Sequence, residues 1–200
     1  MMGQRVNRLG RLYLRLRGRE EGVSAVEFSL IAPVFLLVLA FTVDFSGMVF
    51  ARMSLNESVA AGANFAMINA QKVSDAEGQE LADDIVQLLA AGTGNTDAIQ
   101  ALVSINNGPV ASIGFIEIPG DNFEGGRPSG GSADVCYCPT GQASTIEWGQ
   151  ARQCGTRCPG GGIAGKFVQI DIRRAYSPLM AGLGIAEHGQ IPVSTLVQVQ

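Results

Sequence analysis

The longest hydrophobic pattern in the chain runs from residue 23 to residue 50 and carries only two acidic side chains, Glu27 and Asp44. A helix of that length rises about 42 Å, which exceeds the ~30 Å hydrocarbon core of a bilayer. The pattern therefore predicts one transmembrane helix over residues 23–50. Pro33 lies inside this segment and is expected to kink or loosen the helix locally.

The helical pattern continues beyond the apolar segment. Between Ala51 and Val73, apolar residues recur at intervals of three and four, and polar residues occupy the other faces. This period predicts an amphipathic helix that extends the span. Its apolar stripe is rich in small residues around Gly62. Small residues allow close helix approach, so the stripe is interpreted either as a surface for a neighbouring helix or as a contact with the chain's own domain.

The rest of the chain begins with a second helix and then changes to strand periodicity. Residues 74–77 have the sequence of a capping box, which predicts a helix that runs to Ala91 and stops at Gly92. Strands are predicted at residues 103–105, 112–118, 167–175 and 191–199.

Side chains alternate clearly along the third of these strands. Val168 and Ile170 would point to one face, and Gln169 and Asp171 to the other. The alternation predicts a small antiparallel sheet that is wet on one face. Its apolar face is expected to pack on the extramembrane half of the long helix.

Charge is distributed unevenly along the chain. Six of the 14 Lys and Arg residues lie in the first 22 positions, which leaves eight of them against 16 Asp and Glu in the remainder. The basic leader predicts a cytoplasmic N-terminus, with everything beyond Phe50 on the outer side. The acidic remainder argues against nucleic acid as a partner.

Glu27 is costly at its position in an apolar helix and therefore needs a partner. If a peptidase cut after Gly22, the new ammonium group of Val23 would supply that partner. The alternative is an uncleaved signal anchor with Glu27 at the headgroup boundary. Asp44 lies close to the outer interface, so it is interpreted either as a hydrated carboxylate or as a specific interhelical contact.

Four cysteines lie in the part of the chain richest in Gly and Pro, as Cys136, Cys138, Cys154 and Cys158. An oxidising compartment favours disulfides, and pairing sequence neighbours would constrain almost nothing. Two bridges between the clusters are therefore predicted, each contributing on the order of 3 kcal/mol. A four-cysteine zinc site is the alternative, although Cys-x-Cys is tighter than the usual ligand spacing.

Catalytic motifs are lacking in the sequence. His188 is the single histidine and lies in a turn-like stretch. Residues 160–166 imitate a phosphate-binding loop, but Phe167 replaces the hydroxyl residue that would hold magnesium. No enzymatic activity, cofactor or metal is expected. An anchored hydrolase using His188 is the alternative.

Three stretches resemble the TadE-like pseudopilins of tight-adherence (Flp) pilus systems: residues 22–33, 44–47 and 60–63. The resemblance implies an inner-membrane minor pseudopilin, cut after Gly22 by a prepilin peptidase and needed to assemble or anchor the fibre. Other pilins, the inner-membrane assembly platform and membrane lipid are the implied partners. Asp44 falls where such proteins often carry an acidic residue, whereas Gly47 stands where a basic residue is common. A TadG-like relative has a similar architecture and is the alternative.

The predicted fold class is α+β and pilin-like: a long transmembrane helix, outer helices, and a small antiparallel sheet with a cysteine-stapled loop. The outer region is expected to be periplasmic and to enter the pilus or stay at its base. The predicted parts are a leader at 1–22, the span at 23–50, extramembrane helices at 51–92, and a β-rich domain at 93–200 with its Gly/Cys loop at 119–166.

Overall fold

The structure is a computed structural model that describes residues 21–93, 99–114, 130–178 and 189–200, with side chains from residue 24 onward. The chain forms two compact units, Met1–Phe45 and Ser46–Gln200. The basic leader before residue 21, residues 115–118 of the predicted second strand, the start of the Gly/Cys loop and His188 lie outside the described residues.

Helix α1 (Glu21–Ile68) contains 48 residues and includes Pro33. Two hydroxyl groups in its apolar part donate hydrogen bonds to carbonyls of the preceding turn. Ser29 Oγ donates to the Val26 carbonyl at 2.7 Å, and Thr42 Oγ1 donates to the Val38 carbonyl at 2.8 Å. The large apolar side chains of its first half, from Val26 to Phe45, are exposed. By length and composition, α1 is the one helix in the described residues that could cross a membrane.

A short connection links α1 to the second helix. A 3₁₀ turn (Ala70–Lys72) follows α1, and helix α2 spans Gly78–Thr93. Ser74 Oγ accepts a hydrogen bond of 3.1 Å from the Glu77 N–H, as expected of a capping serine. The two predicted helices are confirmed, with α2 ending two residues later than Ala91.

The strands form a four-stranded antiparallel sheet and a separate hairpin. The sheet order is β2-β1-β5-β6, and β3 pairs with β4. The bounds are β1 (Ile99–Ile105), β2 (Val110–Ile113), β3 (Thr140–Gln142), β4 (Thr145–Glu147), β5 (Phe167–Ala175) and β6 (Gln190–Gln198). The predicted α+β class is therefore confirmed. The β3–β4 hairpin was not predicted, and β1 begins four residues before Val103.

One face of the sheet packs on α2 and on the part of α1 that begins at Ser46. Alternate residues of β5 supply the strand side of this core, because successive side chains of a strand point to opposite faces. The largest fully buried side chains contributed by helices and sheet include Leu55, Leu81, Ile85, Leu89, Val103, Val168, Ile170 and Ile172. Full burial of each such side chain contributes about 1.5–3 kcal/mol relative to exposure.

The opposite face of the sheet is covered along the middle of β5, so the prediction of a wet face was wrong there. Gln169 and Asp171 are only 0% and 2% exposed. We call residues 130–166 the stapled segment; its Tyr137, Ile146 and Trp148 form a second small core with Phe167 and Leu196 packed against it. Alternation along a strand shows which face a side chain takes, but it does not show whether a distant loop covers that face.

Asn106 ties the stapled segment to the end of the sheet. It lies in the turn between β1 and β2 with a φ of 48°, a conformation that asparagine tolerates better than most residues. Its Nδ2 donates to the carbonyls of Ala133 and Val135 at 3.0 and 2.6 Å, and its Oδ1 accepts from the Phe167 N–H at 3.1 Å. One buried side chain therefore joins three parts of the domain.

Candidate functional site

The proposed processing site lies at the start of the described part of α1. Gly22 and Val23 have helical backbone, and Glu27 follows with its side chain exposed. Five residues of helix separate Gly22 from Glu27 by about 7.5 Å along the axis. Neighbouring apolar side chains such as Val26 and Phe28 are also exposed, at 60% and 73%. The processing role of Gly22 and Val23 and the assembly role of Glu27 stay predictions.

Asp44 differs from the residues around it on α1. Its side chain is only 3% exposed, whereas the flanking Val43 and Phe45 are both 52% exposed. The assembly role assigned to Asp44 stays a prediction.

Gly47 is in close contact with Tyr176, which follows β5. A Cβ added to Gly47 would lie 3.0 Å from the Tyr176 hydroxyl oxygen. A long basic side chain at this position would therefore have to displace the tyrosine or turn away from it. This contact gives a physical reason why Gly47 replaces the basic residue that the resemblance led us to expect.

Gly62 faces the chain's own domain. A Cβ at this position would lie 3.2 Å from Ile170 Cδ1, 3.3 Å from Ile85 Cγ2 and 3.4 Å from Leu89 Cδ2. The buried small residues Ala63 and Ala66 continue the same contact. The internal-docking interpretation of the stripe therefore holds at Gly62, and the assembly role assigned to this residue stays a prediction.

A second stripe on α1 points away from the domain. We call it the exposed stripe; its residues are all exposed to solvent and are spaced alternately by three and four. Its members are Phe50, Met53, Glu57, Ala60, Asn64 and Met67. Spacings of three and four repeat every seven residues, which is the pattern that places side chains along one seam between helices.

Two disulfides fix the stapled segment. Cys136 bonds to Cys154 and Cys138 to Cys158, with Cα–Cα distances of 5.0 and 5.7 Å. Bridges between the two clusters were predicted, and the structure gives their connectivity. The zinc alternative was wrong, because these four sulfurs are used in disulfides. Among the residues that the structure describes, no cluster of His, Cys, Asp and Glu could hold a metal ion.

Hydrogen bonds attach the stapled segment to the connection between α1 and α2. Asp75 accepts from Ser132 Oγ and from the Ala133 N–H, both at 2.6 Å. These bonds hold the pKa of Asp75 below its usual range. Lys166 Nζ donates to the Val73 carbonyl at 2.7 Å. The segment is therefore held at both of its ends, as well as by its disulfides.

Asp171 is the buried ionisable group that sequence reasoning missed. It lies on β5 under the stapled segment, and Gln169 Nε2 donates to its Oδ2 at 2.7 Å. Burial raises the pKa of Asp171 to about 6, although hydrogen bonds from Ser194 and Gln169 and the charge of Arg173 oppose the shift. The sequence signal that could have predicted this burial is the presence of Tyr137 and Trp148 in a Gly-rich loop. Large aromatic side chains in a loop usually pack against another part of the protein, here the outer face of the sheet.

These features define a class of protein. The apolar part of α1 is long enough to span a membrane, and the same helix continues into an α+β domain.

The family model described as TadE-like protein matches residues 22–64. The match begins at Gly22 and contains Glu27, Asp44 and Gly62. It confirms the TadE-like resemblance over this segment. Comparisons with curated proteins and with solved structures gave no match.

Proposed function

We propose that this protein is a non-catalytic minor pseudopilin of a tight-adherence (Flp) type IVb pilus. It is anchored in the inner membrane by α1, with the N-terminus cytoplasmic and the α+β domain periplasmic. A prepilin peptidase removes the leader after Gly22. The observation that carries the proposal is the TadE-like match, which starts at Gly22, the residue after which the resemblance implies cleavage.

The geometry of α1 supports a role in assembly rather than catalysis. The apolar side chains of the first half of α1 are exposed and so are available to lipid or to other helices. After cleavage, the Val23 ammonium would lie one helical turn from Glu27, on the same chain or on a neighbour. The exposed stripe would extend contact between helices beyond the membrane, because the opposite face of α1 is occupied by the chain's own domain.

An uncleaved anchor is the second candidate function. In that case α1 would hold a periplasmic binding or scaffold domain, and Glu27 would remain at the membrane boundary. The disulfide-fixed segment over the outer face of the sheet favours this alternative, because a rigid, covalently closed surface is suited to binding.

The two candidates differ in the mass of the mature chain. The full-length protein is expressed in a host that contains the prepilin peptidase, extracted from membranes, and measured by intact mass. A chain that starts at Val23 supports the pseudopilin; a chain that retains its arginine leader contradicts it. Gly22→Glu is expected to block cutting, since a charged side chain replaces the smallest one at the scissile bond. Gly10→Glu, the same change elsewhere in the leader, is the matched control and is expected to be cut normally.

A further inference from the structure

The β3–β4 hairpin lies over the outer face of the sheet. We call residues 140–148 the hairpin lid; it consists of β3, β4 and Trp148. Strand β3 is exposed along its whole length, and Ile146 is the buried residue of β4. Ile146 and Trp148 pack in the second small core, and the Ala143 carbonyl accepts a hydrogen bond of 2.9 Å from Gln169 Nε2. The lid is therefore attached to the sheet mainly through two side chains and one hydrogen bond.

Polar side chains line the sheet under this lid. Ser104 on β1 lies opposite Gln169 on β5, and Asp171 follows two residues later on the same face of β5. All three side chains are almost completely buried. Gln169 Nε2 donates both to the Ala143 carbonyl and to Asp171 Oδ2. The Gln169 side chain therefore links Asp171 directly to the lid.

This polar layer has more acceptors than donors. The two hydrogens of Gln169 Nε2 are used in the bonds to Ala143 and Asp171, whereas Ser104 Oγ, Gln169 Oε1 and Asp171 Oδ1 are buried without a hydrogen bond in the described structure. Trp148 Nε1 of the lid is also buried without a hydrogen bond. Unpaired buried polar groups are costly, so the exposure of these four atoms to water favours an open lid. A proton on Asp171 would supply one missing donor and remove the buried charge.

Few charges face Asp171 from the described elements around it. Strands β1 and β6, on either side of β5, contain no charged residue. Arg173 lies two residues along β5, and Glu147 of the lid is exposed, on the face of β4 opposite to Ile146. The charged residues in the rest of the stapled segment are exposed or bonded elsewhere: Asp134, Arg152, Arg157 and Lys166. Burial therefore dominates and raises the pKa of Asp171 to about 6, although Arg173 opposes the shift.

We propose that a proton on Asp171 controls whether the hairpin lid is closed on the sheet or open to water. With the proton bound, the Asp171 O–H can donate to the Gln169 oxygen or to Ser104, and the lid closes over a neutral layer. Without the proton, the closed lid buries a carboxylate, so the open form is favoured. Both disulfides join residues outside the lid and can stay intact as it moves. The lid works independently of cleavage after Gly22, so it goes beyond the proposed pseudopilin function.

Opening of the lid is expected to increase with pH. An open lid exposes Asp171 to water, so its pKa returns to the ordinary value of 3.8, whereas in the closed form the pKa is about 6. The closed form therefore holds more protons between about pH 4 and pH 6, and opening becomes more favourable as pH rises through this range. Between pH 4.5 and pH 7.5 the ratio of open to closed lid is expected to increase about 25-fold.

Hydrogen exchange of the Trp148 indole N–H measures lid opening, because Trp148 is the chain's only tryptophan and its Nε1 is buried. The exchange is followed by NMR on the full-length protein in detergent micelles, for wild type and Asp171→Asn at pH 4.5 and pH 7.5. Comparing the two proteins at each pH cancels the intrinsic pH dependence of exchange. The wild-type rate divided by the variant rate is expected to be about 25-fold larger at pH 7.5 than at pH 4.5. An equal ratio at the two pH values would overturn the proposal.

Asp83→Asn is the matched control, because it makes the same chemical change at an exposed residue of α2. The ratio of the wild-type rate to the Asp83→Asn rate is expected to be the same at both pH values. A ratio that rises with pH in this variant as well would show a general charge effect and contradict the assignment to Asp171.

Urea separates lid opening from unfolding of the whole domain. Opening the lid exposes little surface, so exchange of the Trp148 indole in wild type should hardly change at low urea concentrations. The amide of Leu89, in the main core, should exchange through larger unfolding and respond steeply. An indole response as steep as that of Leu89 would show that Trp148 is exposed only when the domain unfolds, which contradicts a lid. This comparison uses wild type alone and so does not depend on the folding of Asp171→Asn.

Discussion

Replacing Asp171 by asparagine is expected to stabilise the domain at neutral pH. The carboxylate is 2% exposed, and burial raises its pKa from 3.8 to about 6. A shift of this size corresponds to about 3 kcal/mol of differential interaction between its two protonation states. Because the buried group is nearly inaccessible to water, solvent screening does not reduce this estimate greatly. Asparagine has nearly the same shape and cannot ionise.

The direction of the pH dependence of stability follows from how many protons the folded and unfolded states bind. Between about pH 4 and pH 6 the folded protein holds more protons on Asp171 than the unfolded chain, so its stability falls as pH rises. The ionised carboxylate costs about 3 kcal/mol at pH 7.5 and about 1 kcal/mol at pH 4.5, relative to a group that never ionises. The gain from Asp171→Asn is therefore expected to shrink by about 2 kcal/mol between these two pH values.

The amide of the variant has a suitable partner nearby. In the wild type, Gln169 Nε2 donates to Asp171, while the Gln169 side-chain oxygen is buried without a hydrogen bond in the described structure. The asparagine NH₂ group can donate to that oxygen. An imperfect hydrogen bond would lower the stability gained by Asp171→Asn equally at every pH. The change of this gain with pH is therefore a better test than its absolute size.

Urea unfolding of the full-length protein in detergent, with disulfides intact, measures both the stability gained by Asp171→Asn and the change of that gain with pH. Trp148 is the chain's only tryptophan and lies in the second core above the outer face of the sheet, so its fluorescence reports this region. Asp83→Asn, an exposed residue on α2, is the control and should leave the pH dependence unchanged. Parallel stability curves for wild type and Asp171→Asn between pH 4.5 and 7.5 would refute the reasoning.

Two further substitutions test α1. Glu27→Ala is expected to be cut at the normal rate but to reduce the number of assembled pili, because the Val23 ammonium loses its partner; Asp83→Ala, an exposed residue on α2, is the control, and unchanged piliation in Glu27→Ala would show that the charge pair is dispensable. Gly62→Leu should destabilise the domain by about 1–3 kcal/mol, since the added side chain meets Ile170 and Ile85 within van der Waals distance. Ala61→Leu, on the exposed side, should change stability by less than about 0.5 kcal/mol in the same urea assay, and equal effects would contradict the assigned orientation.

Regular periodicity made the main elements predictable. The three- and four-residue spacing gave α1 and α2, and Ser74 marked the cap before α2 because its hydroxyl accepts a backbone hydrogen bond. Alternation gave β5 and β6 nearly to the residue. These features depend on local sequence, so a single sequence contains the information needed to place them.

Features that depend on distant contacts were not predictable in the same way. Nothing near Asp171 in sequence indicates that residues 130–166 will cover it. The strands of the β3–β4 hairpin have three residues each and are mostly exposed, so they carry almost no hydrophobic pattern. Asn106 is similar, because its neighbours indicate only a turn, whereas its hydrogen bonds reach Ala133, Val135 and Phe167. The disulfides were predictable as bridges between clusters, but their connectivity required the structure.

The two faces of α1 limit how this chain can enter an assembly. Gly62 and the small residues that follow it are buried against the chain's own sheet and second helix, so they are not available to a neighbour unless the domain detaches. Detachment would expose the core that includes Leu55 and Ile85, each costing about 1.5–3 kcal/mol. In the proposed assembly, a neighbouring helix would therefore approach the exposed stripe, where Ala60 and Asn64 leave room for it. The small residues on the buried face of α1 pack against the chain's own domain, so only the small residues of the exposed stripe would serve the proposed contact.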